Sequence, residues 1–128
     1  MIVDSSAILA ILFHEADARH YADAIAAASP CRMSVATILE TCMVAESRGG
    51  AVAADNLDAL LESAGIEPVP VTAEQMKAAR QAWQRFGRGN HRAALNFGDC
   101  FAYALASVTG EPLLFKGEDF PQTDIAAA

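Results

Sequence analysis

Four short, largely apolar runs punctuate the chain. Between them stretch longer segments in which apolar residues recur every three or four positions. The runs are "MIV" from Met1, "CRMSV" from Cys31, "IEPVPV" from Ile66 and "PLLF" from Pro112. Stretches this short predict strands, and the two prolines of the third place it at a sheet edge or a strand end.

The intervening segments carry helix signals. Ser5 or Ser6 is placed to cap a helix from Ala7 to about Phe13, and Asp17 to Ala28 predicts a second that ends at "SP". Ser34 caps a third, running to about Arg48, where Gly49 and Gly50 stop it. Ala51 to Ala64 predicts a fourth, with Val52, Leu57, Leu60 and Leu61 on one side and Gly65 at its end. Thr72 and Gln75 make a capping box for a helix to about Phe86, followed by the loop "GRGNH". The last helix spans "NFGDCFAYALASVTG", with Asn96 as its cap, Asp99 in its first turn and Gly110 as its stop. "KGEDF" reads as a turn and "TDIAAA" as a last short strand. Strands that alternate with helices and are apolar on both faces imply an α/β fold with a short-stranded parallel sheet between helical layers.

Bulk properties narrow the class. The chain has 128 residues, 53% hydrophobic and 20% charged, with no repeat or linker, which predicts a single compact domain over residues 1–128. No apolar run approaches the roughly 20 residues of a membrane span. Asp4 stands where a secretory signal would carry positive charge, so the expected compartment is the cytoplasm. Cys31, Cys42 and Cys100 fit buried free thiols, and His14, His20 and His91 lack zinc-ligand spacing. The net charge of −7 argues against a nucleic-acid partner until its distribution is considered. Lys77, Arg80, Arg85, Arg88 and Arg92 supply five of the nine basic residues, with no acid between Lys77 and Arg92. Such a stretch is either a solvated helix face or a phosphate-contacting strip, with Trp83, Phe86 and His91 available to stack on bases.

The acids fall in a pattern. Asp4 ends the first strand, Glu40 lies about two turns into the helix after the second, Asp99 opens the last helix, and Asp119 follows the last clear strand. All four lie toward the carboxyl end of the sheet, where open α/β sheets bind ligands. Capping or turn roles are available to Asp4, Asp99 and Asp119. Glu40, on an otherwise apolar helix with no base nearby, lacks such an explanation. Converging carboxylates repel unless a cation holds them, and an all-oxygen donor set suits a hard divalent ion such as Mg²⁺. Such an ion activates water for attack on a phosphodiester, chemistry that requires no protein nucleophile. No phosphate-binding glycine loop for nucleotide hydrolysis or dinucleotide binding is present.

"MIVDSSAILAIL", "ATILE", "ALNFGDCFAYALA" and "EPLLFKGEDFPQTDI" together resemble the PIN-domain ribonucleases, specifically VapC-type toxins of type II toxin–antitoxin pairs. The resemblance covers Met1 to Ile125. It implies a three-layer α/β/α PIN fold and Mg²⁺- or Mn²⁺-dependent endonucleolytic cleavage of RNA. Asp4, Glu40 and Asp99 match the family's three most consistent acids and would hold the metal. Ser6 matches a small polar residue that supports the first. Asp119 matches the fourth, with Glu118 its rival. The family further implies a homodimer and a VapB-type antitoxin whose tail fills the active-site groove and through which alone DNA is bound. Two other readings are a catalytically silent antitoxin-binding module and a structure-specific DNA nuclease; the chain is short for the added DNA-binding elements of the latter.

Overall fold

Adjacent residues of the first strand face opposite layers, so the chain divides its core from the start. In the computed structural model, which describes residues 1–128, β1 (Ile2–Val3) buries Ile2 in one apolar cluster and Val3 in another. This is the alternation of a strand buried on both faces. β2 (Cys31–Ser34), β3 (Ile66–Val69) and β4 (Leu113–Leu114) complete a four-stranded parallel sheet in the order β3-β2-β1-β4. β3 is an edge strand, as its prolines require, and Ala127 makes only an isolated bridge to Leu113 in place of a last strand.

One helical layer contains α1 (Ser5–Leu12), α2 (Ala18–Ala27) and α3 (Val35–Ser63). Ala7, Ile8, Tyr21, Ile25 and Leu57 pack there with Val3, Met33 and Leu114. α3 breaks at Gly50, whose positive φ of 64° interrupts the helix, so the two helices read from the sequence share one element with a kink. The other layer contains α4 (Ala73–Phe86) and α5 (Phe97–Thr109), whose Ala82, Phe86, Tyr103 and Leu105 pack with Ile2 and Leu113. Small alanines at 79, 82, 102, 104 and 106 let α4, α5 and the sheet approach closely. The α/β/α sandwich expected from the sequence is therefore the observed architecture.

The topology also places the functional end. From β1 the chain moves outward to β2 and β3, then returns to β4 on the other side of β1. The strand order reverses at β1, so its carboxyl end and that of β4 flank a crevice of the kind that holds ligands in open α/β sheets.

Candidate active site

Asp4 leaves β1 at that crevice and is only 2% exposed. Its Oδ2 accepts the Ser6 N–H at 3.0 Å and the Ser6 hydroxyl at 2.6 Å. Asp4 itself is therefore the N-cap of α1, which starts at Ser5; neither Ser5 nor Ser6 caps it as the sequence had led us to expect. The reason is geometric: Asp4 has the extended backbone a cap needs, whereas Ser5 is already helical. The cap consumes one carboxylate oxygen only. Oδ1 is buried without any hydrogen-bond partner. Burial raises the pKa of Asp4, against the lowering effect of the bonds from Ser6.

Glu40 and Asp99 come to Asp4 from the two helical layers. Glu40 projects from α3 toward the start of α5, where its carboxylate lies over Gly98. A Cβ on Gly98 would collide with all three atoms of that carboxylate. Burial and then the charge of Asp4 raise its pKa, while the neighbouring Ser5 side chain lowers it. Asp99 shares a capping box with Asn96: the Asn96 N–H donates to Asp99 Oδ2 and the Asp99 N–H to Asn96 Oδ1, both at 2.8 Å. Burial moves its pKa from an ordinary 3.8 up to about 6, aided by the charges of Asp4, Glu40 and Asp119. Asp119, exposed on the turn after β4, thus belongs electrostatically to the same group. Glu118 beside it is exposed as well.

The donor chemistry suits a hard divalent cation. The donors are carboxylate oxygens, one of them buried and unpaired, and no Lys or Arg makes an ion pair with Asp4, Glu40 or Asp99. As the side chains stand, no three acids, histidines or cysteines are arranged to hold an ion.

The basic residues do not form one strip. Arg85 is spent on Asp124, with its guanidinium 2.8 Å from Oδ2. Arg80 lies on the far side of α4, in an apolar groove with Met76, Trp83, Phe97 and Phe101. Lys77, Arg80, Arg88 and Arg92 are exposed and make no ion pair. Of the aromatic residues read as stackers, Phe86 is buried in the core and His91 packs edge-on against it while accepting the Ala93 N–H at 3.1 Å. Trp83 alone of the three is widely exposed.

Several site residues escaped the sequence reading. Gly98 supplies the space for Glu40, Ser5 lowers its pKa, and Lys116 ties its own N–H to Ser6 Oγ at 2.9 Å. Thr37, one helical turn before Glu40, also buries an unpaired hydroxyl. The glycine beside Asp99 was the one legible signal, because a glycine in a helix interior normally requires a packing reason.

With this geometry in place, comparisons with known proteins are specific. Residues 1–126 match the family described as the PIN domain. The chain is 51% identical to "Ribonuclease VapC" of Mycolicibacterium smegmatis over 127 residues, which is 99% of this chain and 98% of that one. It is 48% identical to "Ribonuclease VapC30" of Mycobacterium tuberculosis, over 98% of this chain and 96% of the relative. Its fold is similar to that of the crystal structure of VapC20 of Mycobacterium tuberculosis, described as a sarcin-ricin-loop-cleaving toxin. The TM-score is 0.79 at 22% identity, covering 99% of this chain and 97% of the other.

Proposed function

The chain belongs to the PIN-domain family, and from that premise we propose that it is a VapC-type endoribonuclease, the toxin of a type II toxin–antitoxin pair. The observation that carries the catalytic reading is the free, buried Oδ1 of Asp4 beside two further carboxylates whose pKa values are raised by burial first and by its charge in addition. Near-complete coverage at about half identity to named VapC ribonucleases supports the class.

Asp4, Glu40 and Asp99 would hold Mg²⁺ or Mn²⁺, with Asp119 assisting. Such an ion, when bound, offsets phosphodiester charge and makes water a competent nucleophile. The protein's own contribution is placement. Ser6 fixes Asp4 so that one oxygen stays free, Gly98 admits Glu40, and the Asn96 cap fixes Asp99. Water attacks the scissile phosphorus, the bond to the leaving oxygen breaks, and the substrate is cut internally. The exposed Lys77, Arg80, Arg88 and Arg92 would draw RNA to a groove that its acids otherwise make repulsive.

The exposed apolar side chains Val35, Leu39 and Met43 on α3, and Phe97 on α5, support a second copy of the chain as their cover. Val35, Leu39 and Met43 recur every four residues, so they form one stripe along the helix. A VapB-type antitoxin, placing its tail over the acids, would silence the enzyme and provide the only link to DNA. No helix is long and apolar enough to cross a membrane, and we assign the protein to the cytoplasm.

The test is to sequence RNA 5′ ends after brief expression of the wild type and of Asp4→Ala. New 5′ ends at discrete sites in the wild type only support the assignment; the same ends in both, or none in either, refute it.

A further inference from the structure

We infer that Lys116 is a positioning residue for Asp4: its ammonium, clamped by Glu15 and Asp17, fixes its own main chain so that the Lys116 N–H holds Ser6 and Ser6 holds Asp4. The inference rests on the metal-site reading above and concerns how that site is kept in shape. Lys116 Nζ bonds Asp17 Oδ1 at 2.8 Å and also Glu15 Oε2, across 99 and 101 residues of sequence. Both acids lie in the turn between α1 and α2, where His14 takes a positive φ of 53°. At its other end, Lys116 donates its N–H to Ser6 Oγ at 2.9 Å, in the first turn of α1. One residue thus grips the segments at both ends of α1.

The consequence falls on the carboxylate. Ser6 Oγ accepts from Lys116, so its own proton is directed to Asp4 Oδ2 at 2.6 Å. The Ser6 N–H reinforces the same oxygen at 3.0 Å. Oδ2 is thereby saturated and Oδ1 is left free. Without the N–H bond donated by Lys116, the Ser6 hydroxyl has other ways to turn, and Asp4 has more than one orientation. The clamp has a second effect, since the chain turns directly afterwards through Gly117, at a φ of 111°, into the segment that carries Asp119. A role as a free phosphate contact fits poorly, because the ammonium already faces two carboxylates.

Partners that orient a metal ligand without touching the metal typically affect affinity about 10- to 100-fold. The test is Mn²⁺ affinity of the full chain by calorimetry, for wild type, Lys116→Met, Lys116→Arg, the pair Glu15→Gln with Asp17→Asn, and Asp4→Asn. Lys116→Met is expected to weaken Mn²⁺ by about tenfold and Lys116→Arg to recover most of that loss. The Glu15/Asp17 pair should match Lys116→Met, and the triple variant should lose no more than either. Cleavage by Lys116→Met should be rescued by excess Mn²⁺ with its KM for RNA unchanged. Wild-type Mn²⁺ affinity in a folded Lys116→Met overturns the proposal, even if its Tm falls. Should that variant not fold, wild-type affinity in the Glu15/Asp17 pair overturns it equally. Asp4→Asn separates the two levels: if it alone loses Mn²⁺, the positioning role fails and the metal site stands, whereas if it binds as the wild type does, the metal site fails and the proposal with it.

Discussion

The carboxylate of Glu40 occupies the space that a side chain at Gly98 would need. Gly98 is the second residue of α5 and has no positive φ, so its backbone does not require glycine. The atoms in the way are the far end of a flexible side chain, which can swing aside.

Gly98→Ala should therefore separate stability from activity. Alanine in a helix is favoured over glycine by about 0.5–1 kcal/mol, which offsets the displacement of Glu40. We expect a Tm within a few degrees of wild type and RNA cleavage reduced by about 100-fold, the order that follows from moving a catalytic group by about 1 Å. Thermal melts beside a cleavage assay check this, and unimpaired cleavage would remove Glu40 from the site.

Asp99→Asn should abolish cleavage and stabilise the metal-free protein. The Asp99 pKa of about 6 in the fold lies above its ordinary 3.8. A raised carboxyl pKa contributes stability below about pH 4 that is lost as pH rises through 6. At neutral pH the ionised wild type thus carries a penalty on the order of 2–3 kcal/mol that the amide lacks. About 0.5 kcal/mol of that gain is returned through the weaker interaction with the helix N-terminus. The amide oxygen still accepts from Asn96, so the cap persists. The variant's Tm should exceed that of the wild type by a few degrees at pH 7.5 and equal it near pH 4. Added Mn²⁺ should reverse the order at neutral pH by stabilising the wild type alone.

Arg88 and Arg92 should act on RNA through charge. Replacing both by Glu is expected to weaken RNA binding at low salt and to flatten the dependence of log K on log salt by roughly 0.7 per lost phosphate contact. The contrast is Arg85→Ala, whose cost should appear in stability, because its guanidinium holds Asp124. Binding titrations over a range of salt distinguish the two, and an unchanged slope for the Arg88/Arg92 pair would make those residues a solvated surface.

Residue spacing shows why this difference was hidden in the sequence. Arg80 and Arg85 are five positions apart, about half a helical turn out of phase, so counting charges along the chain merges two faces of α4. The candidate acids stood out for the opposite reason: Asp4 and Asp99 lie at a strand end and a helix start that their own neighbours announce, and Glu40 is an acid on an otherwise apolar stretch of helix. Asp4 and Asp99 were read as either caps or ligands, and the structure gives each a cap bond through one oxygen. A single carboxylate can do both, which a choice between the two roles did not allow for. The links of Lys116 to Glu15 and Asp17 span about a hundred residues and leave no local signature. Gly98 depends likewise on a side chain that arrives from another layer.

Asp124 ties the C-terminal segment to both helices of its layer, and its removal should loosen that segment. Its Oδ1 accepts the Tyr103 hydroxyl at 2.6 Å and its Oδ2 the Arg85 guanidinium at 2.8 Å. The hydrogen bond from Tyr103, and then that from Arg85, hold the Asp124 carboxyl below its ordinary pKa, while burial and Asp124 push the buried Tyr103 up to about 12. A depressed carboxyl pKa contributes stability that is present above about pH 4 and lost as pH falls through the folded value. Asp124→Ala leaves the Tyr103 hydroxyl without its acceptor, at a cost of about 1–2 kcal/mol. Its Tm deficit should therefore be constant between about pH 5 and 9 and shrink only below pH 4, where the wild type has lost the same charge. Tyr103→Phe should recover part of the loss in the Asp124→Ala background, since it removes the orphaned hydroxyl. Chemical denaturation of the four proteins across that pH range measures the coupling, and additive losses would show that the contact contributes nothing to stability.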